Sequence, residues 1–325
     1  MFWIDEIAAE IDRTFPDKDR LIVIRDEKTA SGKVHVGSLR GVVIHGVIAE
    51  ALKKGDGKNR APRKAQFFYE INDVDPMDGM PVYLDKNAYA EHMGKPLRHV
   101  PAPDENGRPI PCTPTPTDNF ARTYGNEFVE VIHRLGFDAT IVWASDLYDA
   151  GHYDEWIVKA CEYPEKIADI YKKISGSDKG EEWNPLQMVC EGCGKVGTTT
   201  VTEFDGKMAT YRCEPNKVKW AVGCGYEGKA SPFKGKGKLP WKVEWAVKWA
   251  GFPRPDGKSP VDHQATQRGQ AAVAAPAYGV DVEGSGKDHN AAGGSHDVSE
   301  AIAREVLKIE PPFNIPYEFF LFGGA

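Results

Sequence analysis

Residues 20–41 read RLIVIRDEKTASGKVHVGSLRG, a β-branched apolar run followed at once by a turn of small residues and glycines. A short apolar run bounded by charges suits a strand buried on both faces, as parallel sheets require. The segment 37–55 carries helical periodicity and ends on lysines before Gly55, which marks a helix C-terminus. KAQFFYEIND (64–73) is the next strand. Strand, helix and strand in this order make a βαβ unit of a doubly wound, Rossmann-like parallel sheet, so the expected fold class is α/β.

The rest of the chain supports a large α/β body with two additions. Residues 3–15 are an amphipathic helix, 119–137 a helix, 138–148 a strand, 154–175 one or two helices, and 298–309 the clearest helix of the second half. Residues 75–118 are too rich in Pro and Gly for regular structure and read as a long surface insertion. Residues 251–278 are poor in large apolar side chains and read as a flexible insertion. The expected organisation is 1–182 for the first half of the main domain, 183–229 for a small cysteine module, and 230–325 for the second half.

Composition excludes several classes. No run of about 18 apolar residues exists to span a bilayer, and the acidic, amphipathic N-terminus is not a secretory signal. A net charge of −7 argues against an all-over basic nucleic-acid binder, although phosphates can still be steered by a local basic face. Six cysteines without a signal peptide point to a reducing cytoplasm and to a metal rather than disulfides. Cys190 and Cys193 form a CxxC knuckle, and Cys213 and Cys224 follow. Four thiolates fill a tetrahedral zinc site and leave no open position, so such a zinc would be structural. Lysines around it, including Lys217, Lys219 and Lys234, give a basic face that could meet an RNA stem or simply be solvated.

Two turns carry the candidate chemistry. In TASGKVHVGSLRG (29–41) a strand runs through glycines into a helix N-terminus. Backbone N–H groups and the helix dipole would face a phosphate there, with His35 as a further donor. Alone, His35 could equally be an exposed turn residue and Ser38 a helix cap. The second turn, GSGKDHNAAGGSHD (284–297), pairs glycines with Lys287, Asp288 and His289 ahead of another helix. One such turn in each half of an α/β chain suits a nucleotide lying across a topological switch point.

Together with INDVDPMDGMP, HMGKPLRHVPAP, YGNEFVEVIHRLGF, YDAGHYDEWI and LPWKVEWAVKWA, these turns resemble the class I aminoacyl-tRNA synthetases, and among them the class I lysyl-tRNA synthetases, over nearly the whole chain. SGKVHVGSLRG looks like their HIGH signature. The resemblance implies a lysine–tRNA ligase using ATP with magnesium, and tRNA(Lys) as partner. It implies catalytic roles for His35, Gly37 and Ser38, and an ATP site built from Ser31, Gly32, His35, Ser38, Gly286, Lys287 and Asp288. An amino-acid pocket would include Thr29, Trp241 and His289. A related synthetase for another amino acid, or a non-catalytic paralogue that binds tRNA or amino acid, is the alternative.

The sequence departs from the family pattern in four places. Gly41 stands where many members carry an acid that could meet the substrate ammonium, and Asp26, Glu27 and Glu244 are its candidate replacements. Asp78–Gly79 stands where a basic pair is common. The link between Trp249 and Gly279 looks roughly two dozen residues longer than usual. No KMSKS-like string occurs in the 325 residues, so the resemblance implies the N-terminal catalytic portion of a longer synthetase, without the phosphate-clamping loop and the anticodon-binding domain. Weak ATP binding, and poor lysine activation or none, are the corresponding expectation for the chain by itself.

Overall fold

The structure is a computed structural model, and it describes residues 2–58, 60–251 and 279–318. The stretch expected as a flexible insertion, 251–278, lies outside the described residues except for Gly251. In chain order the first helices and strands are α1 (Trp3–Thr14), β1 (Ile22–Thr29), α2 (Leu39–Lys54), β2 (Ala65–Asn72), α3 (Lys86–Tyr89), α4 (Phe120–Arg134), β3 (Ala139–Trp143), α5 (Ala144–Asp149), α6 (Asp154–Cys161) and α7 (Pro164–Ser175). The short strands β4 (Gln187–Met188), β5 (Thr199–Phe204), β6 (Ala209–Cys213), β7 (Glu227–Ala230) and β8 (Gly237–Lys238) come next. After them come α8 (Trp241–Lys248), β9 (Val282–Gly286), α9 (Lys287–Asn290), α10 (Ser295–Ile302) and β10 (Phe313–Tyr317).

Five strands pair in the order β10-β9-β1-β2-β3, all parallel. Moving outward from β1, the sheet grows one way through β2 and β3 and the other way through β9 and β10. The strand order therefore reverses between β1 and β9, and a crevice opens there at the strands' carboxyl ends. Side chains alternate across the pleat. Ile22, Ile24, Phe67, Tyr69 and Ile71 enter a core with α1, α2 and α4, while Val23 and Phe68 enter a second core with α6, α7, α8 and α10. Both faces are thus covered by helices, which is why β1 reads as an almost unbroken apolar run at its start.

The structure differs from the sequence expectations at three elements. The strand expected over 138–148 ends at Trp143, and a helix follows immediately. The Asp73 carboxylate accepts from the Ser145 amide at 2.8 Å and from its hydroxyl at 2.6 Å, capping α5 from a residue 72 positions away. The helix expected over 298–309 begins at Ser295 and passes into a π-helical turn, Ala303–Leu307. The Pro-rich stretch 75–118 is irregular but does not lie wholly on the surface, because it buries Leu84, Tyr89, Leu97 and Val100 in the α1/α2/α4 core. Strands β5, β6 and β7 form a separate antiparallel sheet beside the cysteines, and β4 pairs with β8.

Candidate active site

The crevice at the β1/β9 reversal is a cleft of about 610 Å³, within the usual range for small-molecule sites. Its wall includes Asp26 to Thr29 from β1, Ser31, Asp75, Trp241, Trp245, Glu283 to Gly286 from β9, His289 and Tyr317. Of the residues singled out in the sequence, Thr29, Ser31, Trp241, Gly286 and His289 meet on this wall. Gly32, His35, Gly37 and Ser38 continue the first turn from Ser31, and Lys287 and Asp288 continue the second from Gly286.

The first turn is built locally. His35 caps a 3₁₀ turn, Val36–Ser38, that leads into α2. The Ser38 hydroxyl donates to the His35 carbonyl at 2.6 Å, so it holds the turn as a cap does. A Cβ at Gly37 would come within 3.1 Å of the His35 ring, and the absent side chain is what lets the imidazole fold over the turn.

The second turn is held by two residues that sequence reading missed. The Asn290 side-chain amide donates to the Ser285 carbonyl at 2.8 Å and to the Ser285 hydroxyl at 2.7 Å. Its own oxygen accepts from Asn314 at 2.7 Å. His45, fully buried in α2, joins the two halves of the site. Its Nδ1 lies 2.7 Å from the Gly41 carbonyl, and its Nε2 accepts from the Gly284 amide at 2.6 Å. Donating from one nitrogen and accepting at the other requires the neutral ring, and burial holds the imidazole down at about 4. Arg40 adds a second tie, donating to the Glu318 carbonyl at 2.6 Å and lying over the Tyr317 ring. A lone His or Asn in a sequence gives no sign of such roles, because the partners are distant in the chain.

Beneath the cleft lies a charged cluster with almost no solvent. Arg25 pairs with Glu27, Glu70 and Glu283. Lys248 reaches Glu27, Glu70 and Glu244 at 2.8 Å each, and Lys238 reaches Asp75 and Glu244. Three cations thus face five carboxylates, and the excess charge is negative. Burial would lower the pKa of Lys248, but the three carboxylates hold it well above the ordinary lysine range. Thr29 donates to Asp75 at 2.9 Å, which ties the end of β1 to this cluster. The indole nitrogens of Trp245 and Trp249 both donate to Glu283. Above them Trp241, Trp245 and His289 pack ring on ring with centroids 5.4–5.7 Å apart, an aromatic wall facing an acidic floor.

The cysteine module stands apart. Cys190, Cys193, Cys213 and Cys224 bring all four sulfurs within 4.8 Å of one another. Cys190 and Cys224 are 3.7 Å apart, as are Cys193 and Cys213. Gly194 and Gly225, directly after the second and fourth cysteines, have φ of +72° and +78°, a conformation that favours glycine and turns the backbone amides toward the sulfurs. Of the lysines expected on a basic face there, Lys217 is tied to the Thr199 carbonyl. Among the described residues no helix is long and apolar enough to cross a membrane.

Comparison with known proteins places this arrangement. The family model described as tRNA synthetases class I (K) matches residues 1–253 and 275–325. Lysine–tRNA ligase 1 of Methanosarcina acetivorans is 32% identical over 99% of this chain and 50% of its own length. Lysine–tRNA ligase of Methanosarcina barkeri is 31% identical over 99% of this chain and 50% of its own. That of Thermoplasma acidophilum is 29% identical over 100% of this chain and 52% of its own. The chain therefore spans about half the length of the curated relatives it matches. A parallel sheet reversing at a cleft, flanked by two glycine and histidine turns, agrees with that match: the chain belongs to the class I (K) family of tRNA synthetases.

Proposed function

We propose that this chain carries the amino-acid-activating site of a lysine–tRNA ligase. The observation that supports this best is the cleft at the β1/β9 reversal, with an acidic floor, an aromatic wall and a glycine- and histidine-bearing turn on either side. ATP, entering with magnesium as its counter-ion, lies across the turns of Ser31–Ser38 and Gly286–Asp288. Backbone N–H groups and the His35 imidazole meet its phosphates. The amino acid lies in the cleft, its aliphatic stem against Trp241, with Thr29 and His289 orienting its polar groups. A carboxylate oxygen of lysine attacks the α-phosphorus, the bond to the bridging oxygen breaks, and pyrophosphate leaves. The 3′-terminal ribose hydroxyl of tRNA(Lys) then attacks the carbonyl carbon, and AMP leaves. No protein nucleophile takes part, so positioning and charge stabilisation supply the rate enhancement.

The four thiolates fit zinc. A tetrahedral zinc with about 2.3 Å bonds sets its sulfurs roughly 3.8 Å apart, close to the 3.7 Å contacts of Cys190 with Cys224 and of Cys193 with Cys213. The ion would supply structure only, since all four positions are filled. The module, read as residues 183–229 between the two halves of the catalytic domain, is the part of the chain it would stabilise.

The test is lysine-dependent exchange of pyrophosphate into ATP by the purified protein, run beside arginine and glutamate. Exchange is expected with lysine alone among the three, and only slowly, in line with the weak lysine activation expected of the chain by itself. His35→Ala should then lower kcat by about 10²–10³-fold with a small change in the KM for lysine, as loss of a transition-state donor does, and Trp241→Ala should raise that KM. Exchange with arginine or glutamate in place of lysine would overturn the assignment.

A further inference from the structure

Position 41, where the resemblance led us to expect an acid, is filled by another residue's acid. A Cβ built on Gly41 would lie 2.3 Å from Asp26 Oδ2 and 2.9 Å from its other carboxyl atoms. The Asp26 carboxylate therefore occupies the volume that a side chain at 41 would need. Asp26 is only 7% exposed, yet it lies on the wall of the cleft.

The other acids near the cleft already have partners. Glu27 is paired by Arg25 and Lys248, Glu283 by Arg25 and two indoles, and Asp75 by Lys238 and Thr29. Glu244 is paired by Lys238 and Lys248 and lies off the cleft wall. Asp78 is on the wall but exposed. Asp26 alone among them is buried, faces the cleft and has no Lys or Arg side chain within 4 Å among the described residues. It accepts from the Glu27 amide at 2.9 Å, and the neutral His45 ring is 3.7 Å away. Lys28, its neighbour but one on β1, has its ammonium 6.0 Å from the centre of the Phe128 ring. The hydroxyls of Tyr69 and Tyr317 complete the groups that sense its charge. A buried carboxylate without a cation is costly unless a ligand supplies one.

From this geometry we infer that Asp26 is the residue that binds the side-chain ammonium of the amino-acid substrate. This rests on the lysine-activating reading above and names its specificity-determining group. Depth selects the side-chain amine over the α-amine. Asp26 lies three residues before the carboxyl end of β1, about 10 Å down the strand at ~3.3 Å per residue. The reacting carboxylate must stay at the mouth, beside the phosphate turns. An amino acid with a four-carbon stem ending in an amine covers that distance. Burial raises the Asp26 carboxyl to about 7, so an arriving ammonium would also displace its proton.

The experiment compares lysine with norleucine, which carries a methyl-ended chain of the same kind, and with arginine and glutamate, by calorimetric titration. The proteins are the wild type, Asp26→Asn, and the double variant Asp26→Gly with Gly41→Glu. Wild type should prefer lysine at least tenfold. Asp26→Asn should bring that preference within about twofold, a change in discrimination that a general loss of folding would not produce. The double variant returns a carboxylate to the same volume from α2 and should restore the preference. Lysine binding equally well to wild type and Asp26→Asn would overturn the role of Asp26 and leave the lysine reading standing. Wild type binding arginine or glutamate instead of lysine would overturn the functional reading and this inference together.

Discussion

Burial moves Asp26 and His45 in opposite directions, the carboxyl up to about 7 and the imidazole down to about 4. Both shifts favour the uncharged form inside the fold, and their consequences for stability have opposite sign. A carboxyl whose pKa is higher folded than unfolded contributes stability below the unfolded value, and that contribution is lost as pH rises through the folded one. For Asp26 the window runs from about 4 to about 7. Asp26→Asn removes the ionisation, so it should be more stable than wild type at pH 8, by up to about 4 kcal/mol for three units at ~1.4 kcal/mol each, and nearly equal to it at pH 4. Urea melts at the two pH values measure this, and a difference independent of pH would contradict it. The same carboxylate would then be a liability to the empty fold and an asset to the bound one. His35, Gly37 and the turn around them were legible because a strand, a glycine turn and a helix start are local. Gly41 was legible only as a departure, since its reason is the Asp26 carboxylate beside it. His45 was invisible, because the amide it accepts from is 239 residues away.

Among the elements, those with a long apolar pattern followed it closely: α1, α2, β2 and α4 fall within about three residues of where the pattern puts them, while β1 runs on to Thr29, beyond the strand read over 20–26. β3 was overestimated because nothing local marks Ser145 as a helix start; its cap is Asp73, brought there by the sheet. The cysteine module was legible as a ligand set, and its short strands do not bury enough to stand alone. Metal analysis of the purified protein should find one zinc per chain. Stripping it with a strong chelator should lower Tm and speed amide exchange in β5, β6 and β7 more than in the parallel sheet. Cys193→Ser should reproduce that pattern without chelator. Full protection of β6 in a metal-free sample would show that the module holds itself together without an ion.

At the scale of the whole molecule, the charged cluster under the cleft was the least legible feature. Arg25 meets Glu283 across 258 positions and Lys248 meets Glu27 across 221, so each reads in sequence as an ordinary surface charge. Removing a single member uncovers the rest. Lys248→Met deletes the ammonium shared by Glu27, Glu70 and Glu244. The expected cost is about 3–5 kcal/mol, as for other buried pairs broken on one side, measured by urea unfolding at pH 7. A loss below about 1 kcal/mol would mean that water or a proton already compensates the three acids. The excess of carboxylates in this floor also supports a cationic rather than an acidic substrate for the cleft above it.

The strand order has a consequence in time. β1 gains β2 soon after it emerges from the ribosome, but its other edge waits for β9, 258 residues later by the pairing of Arg25 with Glu283. At a synthesis rate of about 5–20 residues per second, that open edge, with Arg25 still waiting for Glu283, persists for roughly 13–50 seconds. A growing chain of this protein therefore passes that interval with the centre of its future sheet exposed on one side. Chaperone occupancy should be greatest in that interval and fall sharply once β9 has cleared the exit tunnel.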